Sequence, residues 1–321
     1  MKAQQTPQIA PHTLATPKVA ILLSTYNGGR FLAEQIDSLI AQTHKNWVIY
    51  ASDDGSTDNT LDLLEKYKKR LDPGRLNIIS GPRRGFAHNF LSMTNNEAIE
   101  ADYFAFCDQD DIWHPERLAR AIKMLQLYPG NKPSLFCSRT ALIDEFGAPI
   151  GRSTLFSRPA TFKNALIQNI AGGNTMLFNV QARQLLAQIR TSQEIIFHDW
   201  LIYLLVSGCG GHVHYSDQPL VSYRQHNDNL IGSGKGIARR ISQTCRAMLG
   251  PLAQWHDQII KNLETCRDQL TPENLRIYEE FKENRQSNLL LRLSLVFSTG
   301  LYRQTAAGQI SFIIAIILKR I

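Results

Sequence analysis

The sequence predicts an α/β fold with a mostly parallel sheet flanked by helices, and three observations carry that prediction. Short apolar runs of strand length end in polar or acidic loops, and each loop leads into a pattern of helical period. This strand, loop, helix unit occurs three times in the first part of the chain, which is the signature of a Rossmann-like parallel sheet. The content of 43% hydrophobic residues in 321 is enough to bury one large core, or one core with a small addition.

The first unit is Val19-Ala20-Ile21-Leu22-Leu23-Ser24, which stops at Thr25-Tyr26-Asn27-Gly28-Gly29. Phe31, Leu32, Gln35, Ile36, Leu39 and Ile40 then mark one face of a helix. In the second unit, Trp47-Val48-Ile49-Tyr50-Ala51-Ser52 runs into Asp53-Asp54-Gly55-Ser56-Thr57-Asp58. Leu61, Leu63, Leu64 and Tyr67 follow at helical spacing. Asp53 suits a turn in which its carboxylate bonds local backbone N–H groups, and Ser56 suits the cap of the helix starting near Asp58. A strand Asn77-Ile78-Ile79-Ser80 precedes Gly81-Pro82-Arg83-Arg84-Gly85-Phe86-Ala87-His88-Asn89-Phe90.

The third unit, Tyr103-Phe104-Ala105-Phe106-Cys107, delivers Asp108-Gln109-Asp110-Asp111 at its end. Three carboxylates there repel one another unless a cation joins them. Asp108 and Asp110 share one side of an extended segment. Their oxygens suit Mg²⁺ or Mn²⁺, which keep coordination positions open for phosphates. The plainer alternative is an acidic loop closing with a helix N-cap, because Pro115 opens Glu116-Arg117-Leu118-Ala119-Arg120-Ala121-Ile122. Further on, Ala171-Gly172-Gly173-Asn174-Thr175-Met176 precedes a strand, and paired glycines let a backbone approach a ligand closely. Asp199 opens the apolar helix Trp200, Leu201, Tyr203, Leu204, Leu205, where position alone leaves it either a helix cap or a base.

Ser24-Thr25-Tyr26-Asn27, Asp53-Asp54-Gly55-Ser56-Thr57-Asp58, Phe106-Cys107-Asp108-Gln109-Asp110-Asp111-Ile112-Trp113 and His198-Asp199-Trp200 stand in this order. In order and spacing the set resembles glycosyltransferase family 2, in particular its bacterial rhamnosyltransferase-like members. The resemblance runs from about Lys18 to about Gly234. It implies a GT-A fold, an inverting transfer from a nucleotide-activated sugar, and a divalent metal.

Residue by residue, the resemblance implies the following roles. Tyr26 and Ser24 at one strand end and Asp54 at the next hold the nucleotide base, with Asp54 accepting from a pyrimidine N3–H. Gly85 and Asn89 face the nucleotide. Apart from the resemblance, the charge of Arg83 and Arg84 suits a diphosphate, with a plain surface position as the alternative for both. Asp108 and Asp110 hold the ribose and a metal-bridged diphosphate. Asp199 is the base that deprotonates the acceptor. Tyr223-Arg224-Gln225-His226 resembles the closing motif of the subgroup. It offers His226 as a third metal ligand or phosphate contact and Arg224 as a diphosphate contact, with a capping or surface role as the alternative for each. The segment departs from the Gln-x-x-Arg-Trp pattern of processive synthases, which argues for addition of a single sugar.

The expected partners are a dTDP-, UDP- or GDP-sugar, rhamnose from dTDP-rhamnose first among them, and a glycan or lipid-linked acceptor. The product class is a surface glycan of O-antigen, lipopolysaccharide or capsule type. The alternatives are a non-catalytic nucleotide-sugar-binding subunit of an assembly complex and a sugar nucleotidyltransferase. The latter ordinarily carries a glycine-rich basic phosphate loop, of which Tyr26-Asn27-Gly28-Gly29-Arg30 is a poor version.

Five cysteines, Cys107, Cys137, Cys209, Cys245 and Cys266, form no Cys-x-x-Cys pair, which argues against a zinc site or disulfide framework and for a reducing cytoplasm. Residues 1–17 carry one Lys and no apolar run, so they are expected to be a disordered leader rather than a signal peptide. Catalytic residues are expected within 18–234, and Gly232-Ser233-Gly234-Lys235-Gly236 is a flexible seam. From 235 to 321 a basic helical appendage is expected, with helices around Arg239 to Leu249 and Glu273 to Phe297.

That region holds 13 Lys and Arg against 7 Asp and Glu, +6 of the chain's +7. Its apolar run Ile310-Ser311-Phe312-Ile313-Ile314-Ala315-Ile316-Ile317-Leu318 lies between Arg303 and Lys319-Arg320. The run is too short to cross a bilayer, which takes about 20 residues. It suits an anionic membrane surface, placing the protein peripherally on the inner face of a bacterial cytoplasmic membrane. Packing on the catalytic domain or on a second subunit is the alternative. Interleaved Glu279, Glu280 and Glu283 argue against nucleic acid.

Overall fold

The computed structural model describes residues 16–189, 194, 195, 197–226 and 252–321. Most of the expected leader, the Gly232 to Gly236 seam and the helix expected from Arg239 to Leu249 lie outside the described residues.

Strands β1 (Val19–Thr25), β2 (Trp47–Asp53) and β3 (Leu76–Ser80) pair in parallel. On the other edge of β1 lies β4 (Tyr103–Cys107), also parallel. Beyond it come β9 (Leu177–Asn179), β6 (Ser134–Ser138) and β10 (His212–Ser216), so the order is β10-β6-β9-β4-β1-β2-β3. Only β9 runs antiparallel to its neighbours. Chain order reverses between β1 and β4, and at such a switch point a crevice opens beyond the strand C-termini.

Alternation along the strands explains why the sheet is covered on both faces. Val19, Ile21 and Leu23 of β1, with Ala105 and Cys107 of β4, face α1 (Leu32–Ile40), α2 (Thr60–Arg70) and α4 (Arg117–Leu125). Ala20, Leu22, Phe104 and Phe106 face α3 (Phe86–Thr94), α6 (Val180–Ala187) and α7 (His198–Gly208). Continuous apolar runs are what a strand buried on both faces requires.

A second sheet, in the order β5-β11-β7-β8, consists of β5 (Ile112–Trp113), β11 (Val221–Arg224), β7 (Ala141–Ile143) and β8 (Pro149–Arg152). Strand β11 ends at Arg224, which carries that side chain to the acidic loop.

The last helices are α8 (Leu252–Glu264), α9 (Pro272–Asn284), α10 (Leu289–Phe297) and α11 (Ala306–Ile317). The segment expected as one helix from Glu273 to Phe297 is divided. Asn288 caps α10 by accepting from Leu291 N at 3.1 Å, so the chain restarts instead of continuing α9. These helices are also less of an appendage than the sequence suggested. Leu263, Tyr278, Phe281, Leu295, Phe312 and Ile316 join the same core as α7, in which every residue but Asp199 is buried. A helix apolar on all sides, as α7 is, has to be covered on all sides.

Candidate active site

At the end of β4 the chain leaves the sheet with Asp108 half-buried and Asp111 fully buried. Asp108 is pushed up to about 8, by burial first and then by the charges of Asp110 and Asp199. Asp111 is also raised, by burial and by Asp110 and Asp108. It is held there by Asn174 Nδ2, which donates to Oδ2 at 2.5 Å, and by Arg224 N, which donates to Oδ1 at 3.1 Å. Gln109 ties this loop to the end of β1. Its Oε1 accepts from Tyr26 N at 2.8 Å and its Nε2 donates to Tyr26 O at 3.0 Å. A β-carbon on Gly28 would collide with that amide, so a larger residue there would displace Gln109 from Tyr26.

Beside it stand the ends of β1 and β2. Tyr26 is 57% exposed, with its ring available to a planar ligand, and Ser24 is half-buried next to it. Asp54 accepts from Arg83 N at 2.6 Å and Gly85 N at 2.7 Å, which leaves carboxylate lone pairs for a further donor. Those two residues have φ of 56° and 85°, and Gly85 stands at the start of α3, so Asp54 fixes the shape of the loop expected to face a nucleotide. Asp53 accepts from Gly55 N, Ser56 N, Ser56 Oγ and Thr25 Oγ1, the turn-building role expected of it.

Two expectations are corrected here. Ser56 does not cap a helix: α2 begins at Thr60, and Ser56 Oγ instead bonds Asp53 and accepts from Asn27 N. Asn89, expected to face the nucleotide, is fully buried. Its Nδ2 donates to Ser24 Oγ and Ser52 O, both at 2.8 Å, and its Oδ1 accepts from Ser52 Oγ at 2.5 Å. It knits α3 to β1 and β2 and reaches the crevice only through Ser24.

Across the crevice, Asp199 lies in the first turn of α7, after the N-cap Phe197, which makes no side-chain cap. Its Oδ1 accepts from Trp200 N at 2.7 Å and its Oδ2 from Gly173 N at 3.1 Å, with a further bond from the Asn169 side chain. Burial raises its pKa to about 6, partly offset by those bonds. His198, buried against Phe90 (ring centroids 4.1 Å apart) and Phe106 (4.6 Å), is lowered to about 3 by burial and is therefore neutral. A β-carbon on Gly173 would run into His198 Nε2, so the glycine turn and the start of α7 interlock. Asn174, in the same turn, donates to Asp111, so one short segment holds both Asp199 and the acidic loop.

Arg224, expected to hold a diphosphate, is 1% exposed. Its Nε donates to Asp110 O at 2.9 Å, Nη1 to Glu145 O at 3.1 Å and Nη2 to Glu34 Oε2 at 2.7 Å, while the guanidinium lies 4.6 Å from the Phe31 ring centroid. Those bonds make it a strut behind the acidic loop. His226 stands in front of it, with Nε2 2.9 Å from Asp110 Oδ2.

Among the described residues no three His, Cys, Asp or Glu side chains close into a metal cage. The donor set nevertheless fits a hard divalent cation. Asp108 and Asp110 supply oxygens, His226 stands beside Asp110, and the charges of Asp110 and Asp199, which add to burial in raising Asp108, are what a cation would offset.

Asp111, Gln109, Arg117 and Glu34 are the residues that sequence reasoning missed. Asp111 and Gln109 stand in the acidic run and carry that signal. Nothing in the sequence flags Arg117, which is buried over the Trp113 ring (3.4 Å) and donates to Asn174 O at 2.9 Å, or Glu34.

Residues 20–179 match the family model described as glycosyl transferase family 2. The chain is 28% identical over 221 residues to the dTDP-rhamnosyl transferase RfbG of Shigella flexneri, covering 66% of this chain and 74% of that protein. It is 27% identical over 229 residues to the putative teichuronic acid biosynthesis glycosyltransferase TuaG of Bacillus subtilis, covering 70% and 85%. Among solved structures it superposes on S. aureus TarS in complex with UDP-GlcNAc, with a TM-score of 0.52 at 14% identity, covering 95% and 82%. It also superposes on the mannosyltransferase PcManGT of Pyrobaculum calidifontis in complex with GDP-Man and Mn²⁺, with a TM-score of 0.50 at 16% identity, covering 99% and 90%. At those identities the likeness is one of fold.

Proposed function

We propose, from the premise that this chain carries a glycosyl transferase family 2 domain, that it moves one sugar from a nucleotide-sugar donor to a growing surface glycan by an inverting, divalent-metal-dependent displacement. The observation that carries the proposal is the turn Gly173-Asn174, which holds Asp199 through Gly173 N and the acidic loop of Asp108 and Asp110 through Asp111. Asp199 is raised to about 6 and stands close enough for its charge to raise Asp108.

Tyr26, Ser24 and Asp54 bind and orient the nucleotide, with the Gly85 loop alongside. Asp108 and Asp110, with His226 beside them, would hold the metal, which when bound neutralises charge on the departing diphosphate. Asp199 is the base. It takes the proton of the acceptor hydroxyl on a carboxylate oxygen as that hydroxyl's oxygen bonds to the anomeric carbon. The bond from that carbon to the diphosphate breaks, and the nucleoside diphosphate leaves with the electron pair. Water is not activated and no protein nucleophile is used, so the configuration inverts. A base whose pKa lies near the working pH suits this task. The dTDP-rhamnosyl transferase relative supports dTDP-rhamnose as the first donor to test.

The test is a thermal-shift and calorimetry panel of UDP, dTDP, GDP and their sugars, each with and without Mn²⁺, on the wild type and on Asp110→Ala. Stabilisation by one nucleotide that needs Mn²⁺ and is lost in Asp110→Ala is the expected result. If no nucleotide stabilises the protein with any metal, the transferase proposal fails.

A further inference from the structure

We propose that the outward side of α10 and α11 is a docking surface for an anionic lipid bilayer. Helix α11 contains no charged side chain and buries Phe312, Ala315 and Ile316 in the core. Its opposite side carries Ile310, Ile314, Ile317 and, at its C-cap, Leu318, which are 60, 43, 50 and 56% exposed. That spacing places them on one stripe. A surface helix ordinarily turns polar side chains to water, and this one is apolar on both sides. Helix α10, which packs on α11, adds Leu290 and Phe297, each 80% exposed and two turns apart on one side. Single exposed apolar residues are ordinary, whereas a grouped set marks an interaction surface.

The charge beside the stripe selects the occupant. Lys319, whose φ of 56° ends the helix, and Arg320 are both exposed directly after it. Arg303, at the other flank, is half-buried, so this exposed pair is the basic edge of the surface. Apolar side chains entering the acyl boundary with Lys and Arg at the headgroups is the pattern of a helix lying in a bilayer interface. A second protein would ordinarily be specified by polar groups among the apolar ones, and the stripe holds none. At 12 residues α11 is about 18 Å long, short of the roughly 30 Å hydrocarbon layer, and no described helix is long and apolar enough to cross a membrane. The helix therefore lies along the surface. The purpose of the contact, bringing the crevice to a lipid-linked acceptor, rests on the proposed transfer; the contact itself does not.

The experiment is co-sedimentation of the full chain with vesicles of phosphatidylcholine alone and of an equal mixture of phosphatidylcholine and phosphatidylglycerol. Binding to the mixed vesicles that weakens with salt is expected. The double variant Ile314→Glu/Ile317→Glu should lose at least about tenfold in vesicle affinity. Lys319→Gln/Arg320→Gln should lose about fivefold per charge. Thermal unfolding is expected to stay at the wild-type temperature in both variants, which shows that they fold, and Mn²⁺-dependent nucleotide stabilisation is read separately. Absence of binding to the mixed vesicles, or binding that neither variant changes, overturns the proposal whatever the nucleotide panel shows. So does a concentration-dependent dimer in ultracentrifugation that the Glu variants dissociate, which would give the surface to a second copy of the chain.

Discussion

In the proposed transfer, Asp199 concentrates the chemistry and its cost in one side chain. Burial raises its pKa to about 6, and a base must be ionised to accept a proton. Turnover under saturating donor and acceptor should therefore fall as pH drops through about 6, and a rate profile flat from neutral pH down to 5 would remove Asp199 from the role. Asp199→Asn keeps the size of the side chain and one oxygen, enough for either Trp200 N or Gly173 N but not both, and it cannot take the proton. It is expected to lower the transfer rate by about 10²–10⁴-fold while calorimetry shows nucleotide binding unchanged. A binding-only protein would lose nothing in this variant. Arg224 teaches the reverse lesson: a residue type suited to phosphate turns out to hold the backbone of Asp110 instead.

The segment Gly172 to Asn174 decides geometry for both walls of the crevice at the scale of the element. Gly173 N holds Asp199, Asn174 holds Asp111, and Gly173 itself leaves room for His198. Gly173→Ala must push the His198 ring or its own backbone away. Because a displacement of about 1 Å can cost about 10²-fold, kcat is expected to fall by that order with a smaller change in donor affinity. Equal loss of both, or of neither, would show that the turn does not position Asp199. His198 is lowered to about 3, so its packing is pH-independent over the range in which Asp199 titrates. The glycine pair was visible in the sequence as a place of close approach. Its partner was not, because α7 is apolar on all sides and its sequence says nothing about which loop His198 meets.

For the whole molecule, the decisive feature is that the helices after residue 252 close over α7. Tyr278 and Phe281 are fully buried in the core shared with Trp200 to Val206, so the catalytic and C-terminal parts are expected to unfold together. Calorimetry should show a single transition, and Phe281→Ala should lower the stability of the whole by about 3–5 kcal/mol. Two separate transitions, with only one moved by Phe281→Ala, would restore the independent appendage suggested by the glycine seam and the change of charge.

The sequence by itself determined the parallel sheet, its acidic strand ends and their convergence on one crevice. These follow from local period, from strand length and from the rule that strand C-termini meet at a switch point, none of which needs a distant partner to be known. Tertiary structure alone decided which polar residues face that crevice and which hold it from behind. Asn89, Arg224, Asp111 and Arg117 are buried polar side chains whose bonds go to residues far away along the chain, as from Arg224 to Glu34 and from Asp111 to Asn174. A buried polar group must find such partners, and only the folded chain shows where they are.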